Sequence, residues 1–175
     1  MDYDKVKFKF DDIKGRKDFR QGKMLMEKIK EIDINTLTTS SIISLMEFDI
    51  DMFFVCKVSY EEDVNEECLM FYSDNVEYFL EELIRRKGYE ALATNEETVR
   101  LLIHVQDVFD LSYKYCEAAH ITKQVLNYND LSDREIAERE LKGIMNYMTY
   151  YSFIKFTDEE RKKYTKLYEE IFNHK

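Results

Sequence analysis

The scarcity of turn-forming residues most restricts the fold of this 175-residue chain. Proline is absent, and glycine occurs only four times. Sandwiches and barrels contain many tight turns, and these turns usually need glycine or proline. The composition therefore favours long helices. It also excludes nucleotide binding through a glycine-rich phosphate loop, because the chain contains neither a GxGxxG motif nor a Walker sequence.

The second half of the chain carries repeated signals for helix starts. Three capping boxes, in which Ser or Thr is followed three residues later by Glu, begin at Thr94, Ser132 and Thr157. A fourth helix is predicted to begin at Asp74 and to end at Gly88, which can adopt a left-handed conformation. We predict a mainly α-helical fold with a C-terminal helical bundle, whose helices span about 74–87, 95–127, 133–155 and 158–173.

The predicted helix 95–127 is expected to lie at the centre of the bundle. Its first half is apolar on almost every side, and such a helix is normally packed by neighbours on several faces. Its polar residues follow one narrow line, which leaves a single stripe for water or a polar group: Arg100, His104, Asp107, Asp110, Lys114 and Glu117.

The N-terminal half is harder to interpret. Lysine alternates with apolar residues at 5–10, which is the period of a half-buried strand. Residues 53–60 are rich in aromatic and β-branched side chains, and 67–73 is a short apolar run. We predict a small antiparallel β hairpin or sheet from 5–10, 53–60 and 67–73. The alternative is an all-α bundle, since residues 41–60 also fit a helix with a polar residue inside its apolar stripe.

Length and composition predict one domain spanning 1–175. The chain has no apolar run long enough for a bilayer and no signal-peptide pattern near its start, so we expect a cytoplasmic protein without membrane contact. Three cysteines without CxxC spacing predict reduced thiols. The sequence leaves the oligomeric state open.

Charge is distributed very unevenly along the chain. The net charge is −10, and residues 47–84 contain twelve acidic residues against one base, Lys57. Electrostatic docking on a basic partner speeds encounter and sharpens specificity. We predict that this segment binds a basic protein partner, for example a nucleic-acid-binding protein, through Glu61, Glu62, Asp63, Glu66, Glu67, Asp74, Glu77 and Glu81. A solvated surface that only keeps the protein soluble is the alternative interpretation.

This charge pattern predicts a non-enzymatic interaction module, a regulator or an inhibitor. The richness in Lys, Ile, Asn and Tyr is typical of AT-rich genomes, which suits a phage or mobile element. Direct nucleic-acid binding is not expected, because the basic residues cluster only in 1–30 and 161–166. We predict no cofactor.

The alternative function is a small helical-bundle enzyme. His104 with Asp107 could form a base and its orienting carboxylate, and Glu117 with His120 forms an E-x-x-H half-motif. A di-iron site would need a second such half-motif, which the sequence lacks, so no metal is predicted. A lone helical histidine is more often structural than a metal ligand.

Overall fold

The computed structural model describes residues 3–58 and 62–173, with side chains from 9 to 58 and from 66 to 173. Within those ranges the chain forms α-helices, one short 3-10 turn (Ile34–Thr36) and no strand. The helices are α1 (Tyr3–Arg16), α2 (Phe19–Lys30), α3 (Thr39–Lys57), α4 (Glu62–Thr94), α5 (Glu96–Leu111), α6 (Tyr115–Tyr128), α7 (Arg134–Tyr150) and α8 (Asp158–Phe172).

The chain divides into two compact units, Met1–Arg86 and Lys87–Lys175. The first, unit 1, contains α1 to α3 and most of α4. The second, unit 2, contains α5 to α8. In unit 2 consecutive helices contact each other, α5 with α6, α6 with α7 and α7 with α8, which confirms the predicted helical bundle.

The core of unit 1 is built from aromatic residues and methionines. The rings of Phe10 on α1 and Phe48 on α3 stack with their centroids 4.1 Å apart. Tyr72 on α4 is completely buried, and its hydroxyl donates to the Phe19 carbonyl at 3.2 Å. Three methionines on α2 and α3 are also completely buried, and they fill the remaining space: Met26, Met46 and Met52.

The predicted strands are wrong, and the all-α alternative fits. Residues 5–10 belong to α1, 53–57 to α3 and 67–73 to α4. Residues 59 and 60 of the second predicted strand lie outside the described residues. Burial explains why residues 5–10 form a helix and not a strand. Phe10 and Ile13 are both buried and lie three positions apart, which is a helical spacing.

The same reasoning applies to the other two predicted strands. On α3 the buried side chains Met46, Phe53 and Cys56 continue a helical stripe, and packing outweighs the β preference of the aromatic residues. On α4, Tyr72 within the run 67–73 belongs to a longer buried face that continues through Val76 and Phe79. Asp74, the predicted helix start, lies inside α4, so the apolar run before it is the continuation of the same helix.

The predicted central helix 95–127 is two helices. α5 ends at Leu111, and the chain turns through Tyr113, which has a positive φ of 64°. The Lys114 N–H donates to the Phe109 carbonyl and the Tyr113 N–H to the Asp110 carbonyl, which together form a Schellman motif. Glycine is the usual residue at such a position, so a tyrosine gave no signal for the break.

Helix caps agree with the predictions only in part. The Thr157–Glu160 capping box of α8 is confirmed, with both of its hydrogen bonds present. The cap of α5 is Asn95, because the Thr94 hydroxyl donates to the Glu90 carbonyl of the preceding helix. α7 begins one residue later than predicted, with Asp133 as its cap, and ends at Tyr150. At two of the three predicted helix starts, the capping residue is therefore the Asn or Asp that follows the predicted Thr or Ser.

Gly88 interrupts α4. Its φ of 76° is positive, as predicted for a residue without a Cβ, but its ψ of 156° lies outside the left-handed helical region. The helix resumes after Gly88 and continues to Thr94, so the predicted helix 74–87 begins twelve residues too late and stops at the interruption.

Candidate functional site

The acidic segment predicted to bind a partner lies mostly on α4, and unit 1 neutralises several of its carboxylates internally. Asp51 accepts from Lys14 of α1 at 2.6 Å, and Glu67 forms an ion pair with Lys23 of α2. Because Lys14 and Lys23 come from the basic N-terminal region, that region and part of the acidic segment pair within one fold. Glu67 therefore has a base of its own protein beside it, although its side chain is 79% exposed.

Glu82 is the most strongly paired of these acids. Its side chain is only 9% exposed, and it accepts hydrogen bonds from Arg85 and Arg86 at 2.6–2.7 Å. The two guanidinium groups lower the pKa of Glu82 to about 2. Arg86 also donates to the Leu37 and Ile34 carbonyls at 2.7 Å, so this cluster fixes the 3-10 turn against α4.

α4 also carries a row of exposed residues in which acidic and apolar side chains alternate. The row, here called the α4 face, consists of Glu66, Met70, Asp74, Tyr78 and Glu81. Its members are three or four positions apart and span about 22 Å at 1.5 Å per residue. Met70 is 41% exposed and Tyr78 is 37% exposed. The α4 face is therefore amphipathic in composition as well as acidic.

The remaining predicted partner-binding acids have different surroundings. Glu77 lies on α4 beside the α4 face and is half-buried. Glu61 lies outside the described residues, and the side chains of Glu62 and Asp63 do as well.

Unit 1 also contains a buried polar pair that the sequence had signalled. Asp49, the polar residue inside the stripe of α3, is completely buried and accepts from the Asn75 side-chain amide at 3.1 Å. Burial raises the pKa of Asp49 well above its usual range. One oxygen of each residue, Asp49 Oδ2 and Asn75 Oδ1, has no hydrogen-bond partner. A protonated Asp49 could donate a hydrogen bond, which an ionised one could not.

The alternative catalytic residues are not brought together into one site. His104 is on α5, whereas Glu117 and His120 are on α6, and all three side chains are exposed. Asp107 accepts a hydrogen bond at 2.6 Å from Arg139 of α7. His120 contacts the ring of Tyr89 and lies 3.4 Å from the Gln124 side-chain amide. Each predicted pair is therefore placed like ordinary surface side chains.

Unit 2 contains a polar cleft that the sequence did not predict. The cleft has a volume of about 530 Å³ and is bounded by α5, α6 and α7. Five of its lining residues are acidic and two are basic: Asp107, Asp110, Glu135, Glu138 and Glu140, with Arg139 and Lys142. Two members of the predicted polar line on α5, Asp107 and Asp110, therefore face the same cleft.

Glu140 is the most deeply buried charged residue of the cleft. Its side chain is 1% exposed, and its Oε2 accepts from the Gln106 amide at 2.7 Å. Its other oxygen, Oε1, has no hydrogen bond, and the Arg139 Nε at 3.5 Å forms only an ion-pair contact. Burial raises the pKa of Glu140 to about 7.

A second hydrogen bond joins opposite walls of the cleft. The Tyr147 hydroxyl of α7 donates to Asp110 Oδ1 of α5 at 2.6 Å. Burial raises the pKa of Asp110, and burial also raises that of Tyr147. The cleft therefore holds carboxyl groups in several environments, from the buried Glu140 to the exposed Glu135.

The positions of Glu140 and Gln106 within apolar helical rows are the sequence signal for their burial. Glu140 lies between the buried residues Ile136 and Ile144 at spacings of four, and Gln106 lies between Leu102 and Phe109 at spacings of four and three. A polar residue inside an apolar helical row must be buried, so two such rows predict a buried polar contact. Only the partner of each residue requires the tertiary structure.

The described part of the chain thus defines an all-helical protein with an acidic, partly apolar helix face and a polar cleft. In that part no three His, Cys, Asp or Glu residues are grouped so that they could hold a metal ion. None of its helices combines the length and the apolar character needed to cross a membrane. No family model, curated protein or solved structure matches the chain.

Proposed function

We propose that this protein is a non-enzymatic interaction module that binds a basic, amphipathic segment of a partner protein along the α4 face. The alternation of exposed acidic and apolar side chains on that face carries the proposal. By covering a basic surface of its partner, the protein would act as a regulator or an inhibitor. A phage or mobile-element origin remains part of the same proposal, and it rests on composition alone.

The composition of the α4 face supports an amphipathic partner. Acidic groups alone would serve solubility, but Met70 and Tyr78 place apolar surface between them. An amphipathic helix presents side chains to a partner at spacings of three and four, which is the spacing of the α4 face. Lys or Arg of such a partner would meet Glu66, Asp74 and Glu81, and its apolar residues would cover Met70 and Tyr78.

The internal ion pairs limit which acids take part. Glu82 is paired with Arg85 and Arg86 and is 9% exposed, and Asp49 is completely buried, so these two are not offered to a partner. Asp51 and Glu67 are exposed but would have to exchange a base of unit 1 for one of the partner. Unit 1 nevertheless keeps a net charge of −7, because residues 1–86 contain twenty acids and thirteen bases. This excess repels phosphates, which argues for a protein rather than a nucleic acid as the direct ligand.

Binding of a labelled synthetic peptide tests the proposal. The peptide repeats Lys and Leu at helical spacing, and a scrambled peptide of the same composition is its control. Wild-type protein should bind the patterned peptide more tightly than the scrambled one. Three neutral substitutions, Glu66→Gln, Asp74→Asn and Glu81→Gln, should weaken binding about tenfold, since exposed charge pairs contribute roughly 0.5 kcal/mol each.

A matched variant carries Glu117→Gln, Glu159→Gln and Glu169→Gln, which remove the same charge from exposed positions in unit 2. It should bind the peptide like wild type. Equal weakening in both triple variants would mean that net charge alone attracts the peptide, and the proposal would then fail. A further variant, Met70→Ser with Tyr78→Ser, should lose the preference for the patterned peptide.

A further inference from the structure

We infer that the cleft of unit 2 is a binding site for a linear aliphatic polyamine. It is bounded by α5, α6 and α7, and its volume of about 530 Å³ lies within the range of small-molecule sites. This site is separate from the proposed function, because it involves no residue of the α4 face.

The first step concerns the charge of the walls. Five carboxyl groups and two bases line the cleft. The two bases already have carboxylate neighbours within the protein, since Arg139 lies 2.6 Å from Asp107 and 3.5 Å from Glu140, and Lys142 lies 3.9 Å from Glu138. Glu138 also pairs with Arg134, outside the cleft lining, at 2.8 Å. The excess of carboxyl groups selects a cationic ligand and repels an anionic one.

The second step is the buried, unsatisfied oxygen of Glu140. A buried acceptor without a hydrogen bond costs free energy, and natural proteins seldom leave one without a reason. Oε1 of Glu140 is such an acceptor in a residue that lines the cleft, because the Arg139 Nε at 3.5 Å makes an ion-pair contact with it but no hydrogen bond. Gln106 holds the other oxygen, so the carboxyl group is fixed in orientation before any ligand arrives. An ammonium group, which carries three donors, would satisfy Oε1.

The third step separates an organic cation from a metal ion. A metal needs several ligands that converge on one point at about 2–2.5 Å, and the described residues offer no such group. The carboxyl groups are instead divided between α5, which contributes Asp107 and Asp110, and α7, which contributes Glu135, Glu138 and Glu140. Carboxyl groups distributed in this way match a linear ligand that carries several separated ammonium groups.

The polar neutral side chains support the same ligand class. Thr122 of α6 and Asn146 of α7 line the cleft together with Gln106 and Tyr147, and their oxygen atoms can accept N–H groups. The aliphatic segments of a polyamine would contact the apolar parts of these walls.

Isothermal titration calorimetry with the triamine spermidine, in 150 mM salt to screen exposed charges, tests the inference. Wild-type protein should bind one spermidine. Glu140→Gln keeps the shape of the side chain and removes its charge, and it should weaken binding about tenfold, as expected for the loss of one charge-assisted hydrogen bond. Glu117→Gln, which removes the same charge at an exposed position on α6, should change the dissociation constant less than about twofold.

A second variant occupies the cleft itself. A Cβ added at Gly143, which lines the cleft on α7, meets no atom within 4 Å. Gly143→Leu should therefore fold, as shown by an unchanged far-ultraviolet circular dichroism spectrum, and should abolish spermidine binding by filling the cleft.

Several results would overturn the inference. They are the absence of saturable binding to wild type, equal weakening in Glu140→Gln and Glu117→Gln, or full binding to folded Gly143→Leu. Magnesium ions that compete with spermidine at equal concentration would also overturn it, because the site would then recognise charge density and not an extended cation.

Discussion

Tyr113 holds a backbone conformation that most residues with a Cβ avoid. It ends α5 in the left-handed region, with a φ of 64°, where most structures place glycine. Without that glycine the apolar pattern runs without interruption from α5 into α6.

We predict that Tyr113→Gly stabilises the protein by about 0.5–1 kcal/mol. A side chain with a Cβ costs about 1 kcal/mol or more in the left-handed region. Glycine has a greater conformational entropy in the unfolded chain, which offsets part of this gain. Little packing is lost, because Tyr113 is 78% exposed. Urea unfolding followed by circular dichroism measures the change.

Tyr113→Ala is the control for that substitution. It removes the ring but keeps the Cβ, so it should not stabilise the protein. If Tyr113→Ala raises the free energy of unfolding as much as Tyr113→Gly, the benefit comes from loss of the ring, and the backbone explanation is wrong.

At the scale of single helices, α2 depends on close approach to its neighbours. Gly22 is buried, and a Cβ added there would lie 2.3 Å from the Tyr72 hydroxyl and 3.2 Å from Met52 Cε. Tyr72 is itself fixed by its hydrogen bond to the Phe19 carbonyl at the start of α2. The absence of a Cβ at Gly22 therefore permits α2, α3 and α4 to pack closely.

We predict that Gly22→Ala destabilises unit 1 by roughly 1–3 kcal/mol, the usual cost of overpacking, despite the better helix propensity of alanine. Gly15→Ala, in α1, is the matched control because a Cβ there meets nothing within 4 Å. That substitution should be neutral or slightly stabilising. Urea unfolding of both variants measures the difference, and equal stability would show that Tyr72 moves aside without cost.

How far the sequence predicted the fold also depends on the kind of helix. Helices with an uninterrupted apolar row and a clear cap were predicted well, as α8 shows with its capping box at Thr157. Residues 5–10 of α1, 53–57 of α3 and 67–73 of α4 were wrongly predicted as strands, because short apolar runs fit both periods. Their burial pattern, such as Phe10 with Ile13, becomes apparent only when neighbouring helices are known.

The candidate sites show the same limit. The acidic character of the α4 region was evident from composition, and the pair of Glu82 with Arg86 follows the i,i+4 spacing of a helix. The pairing of Glu67 with Lys23, in contrast, joins residues 44 positions apart. The Gln106–Glu140 contact spans 34 positions. Such long-range pairs can be identified only from the tertiary structure. The helical rows that contain these residues can be recognised from the sequence alone.

For the whole molecule, stability should reach its maximum on the acidic side of neutrality. Glu82, with a pKa lowered to about 2, stabilises the folded state above pH 4.5, and this contribution is lost as the pH falls through 2. Asp49 and Glu140, with raised pKa values, act in the opposite direction. Their contribution is fully present below the unfolded pKa and is lost as the pH rises through the folded one. The opposing groups place the maximum near pH 5.

Glu140 provides the sharpest test of this pH dependence. Its folded pKa of about 7, against 4.5 in the unfolded chain, corresponds to about 3 kcal/mol that is present at pH 4 and lost by pH 8. Glu140→Gln cannot ionise, so its stability should match that of wild type near pH 5 and exceed it at pH 8 by up to about 3 kcal/mol. Urea unfolding at pH 5, 6, 7 and 8 measures both profiles, with the exposed Glu117→Gln as the control that should follow wild type. Parallel profiles for wild type and Glu140→Gln would mean that water or a base reaches the buried carboxylate at no cost, and the burial of Glu140 would then not govern the pH dependence of folding.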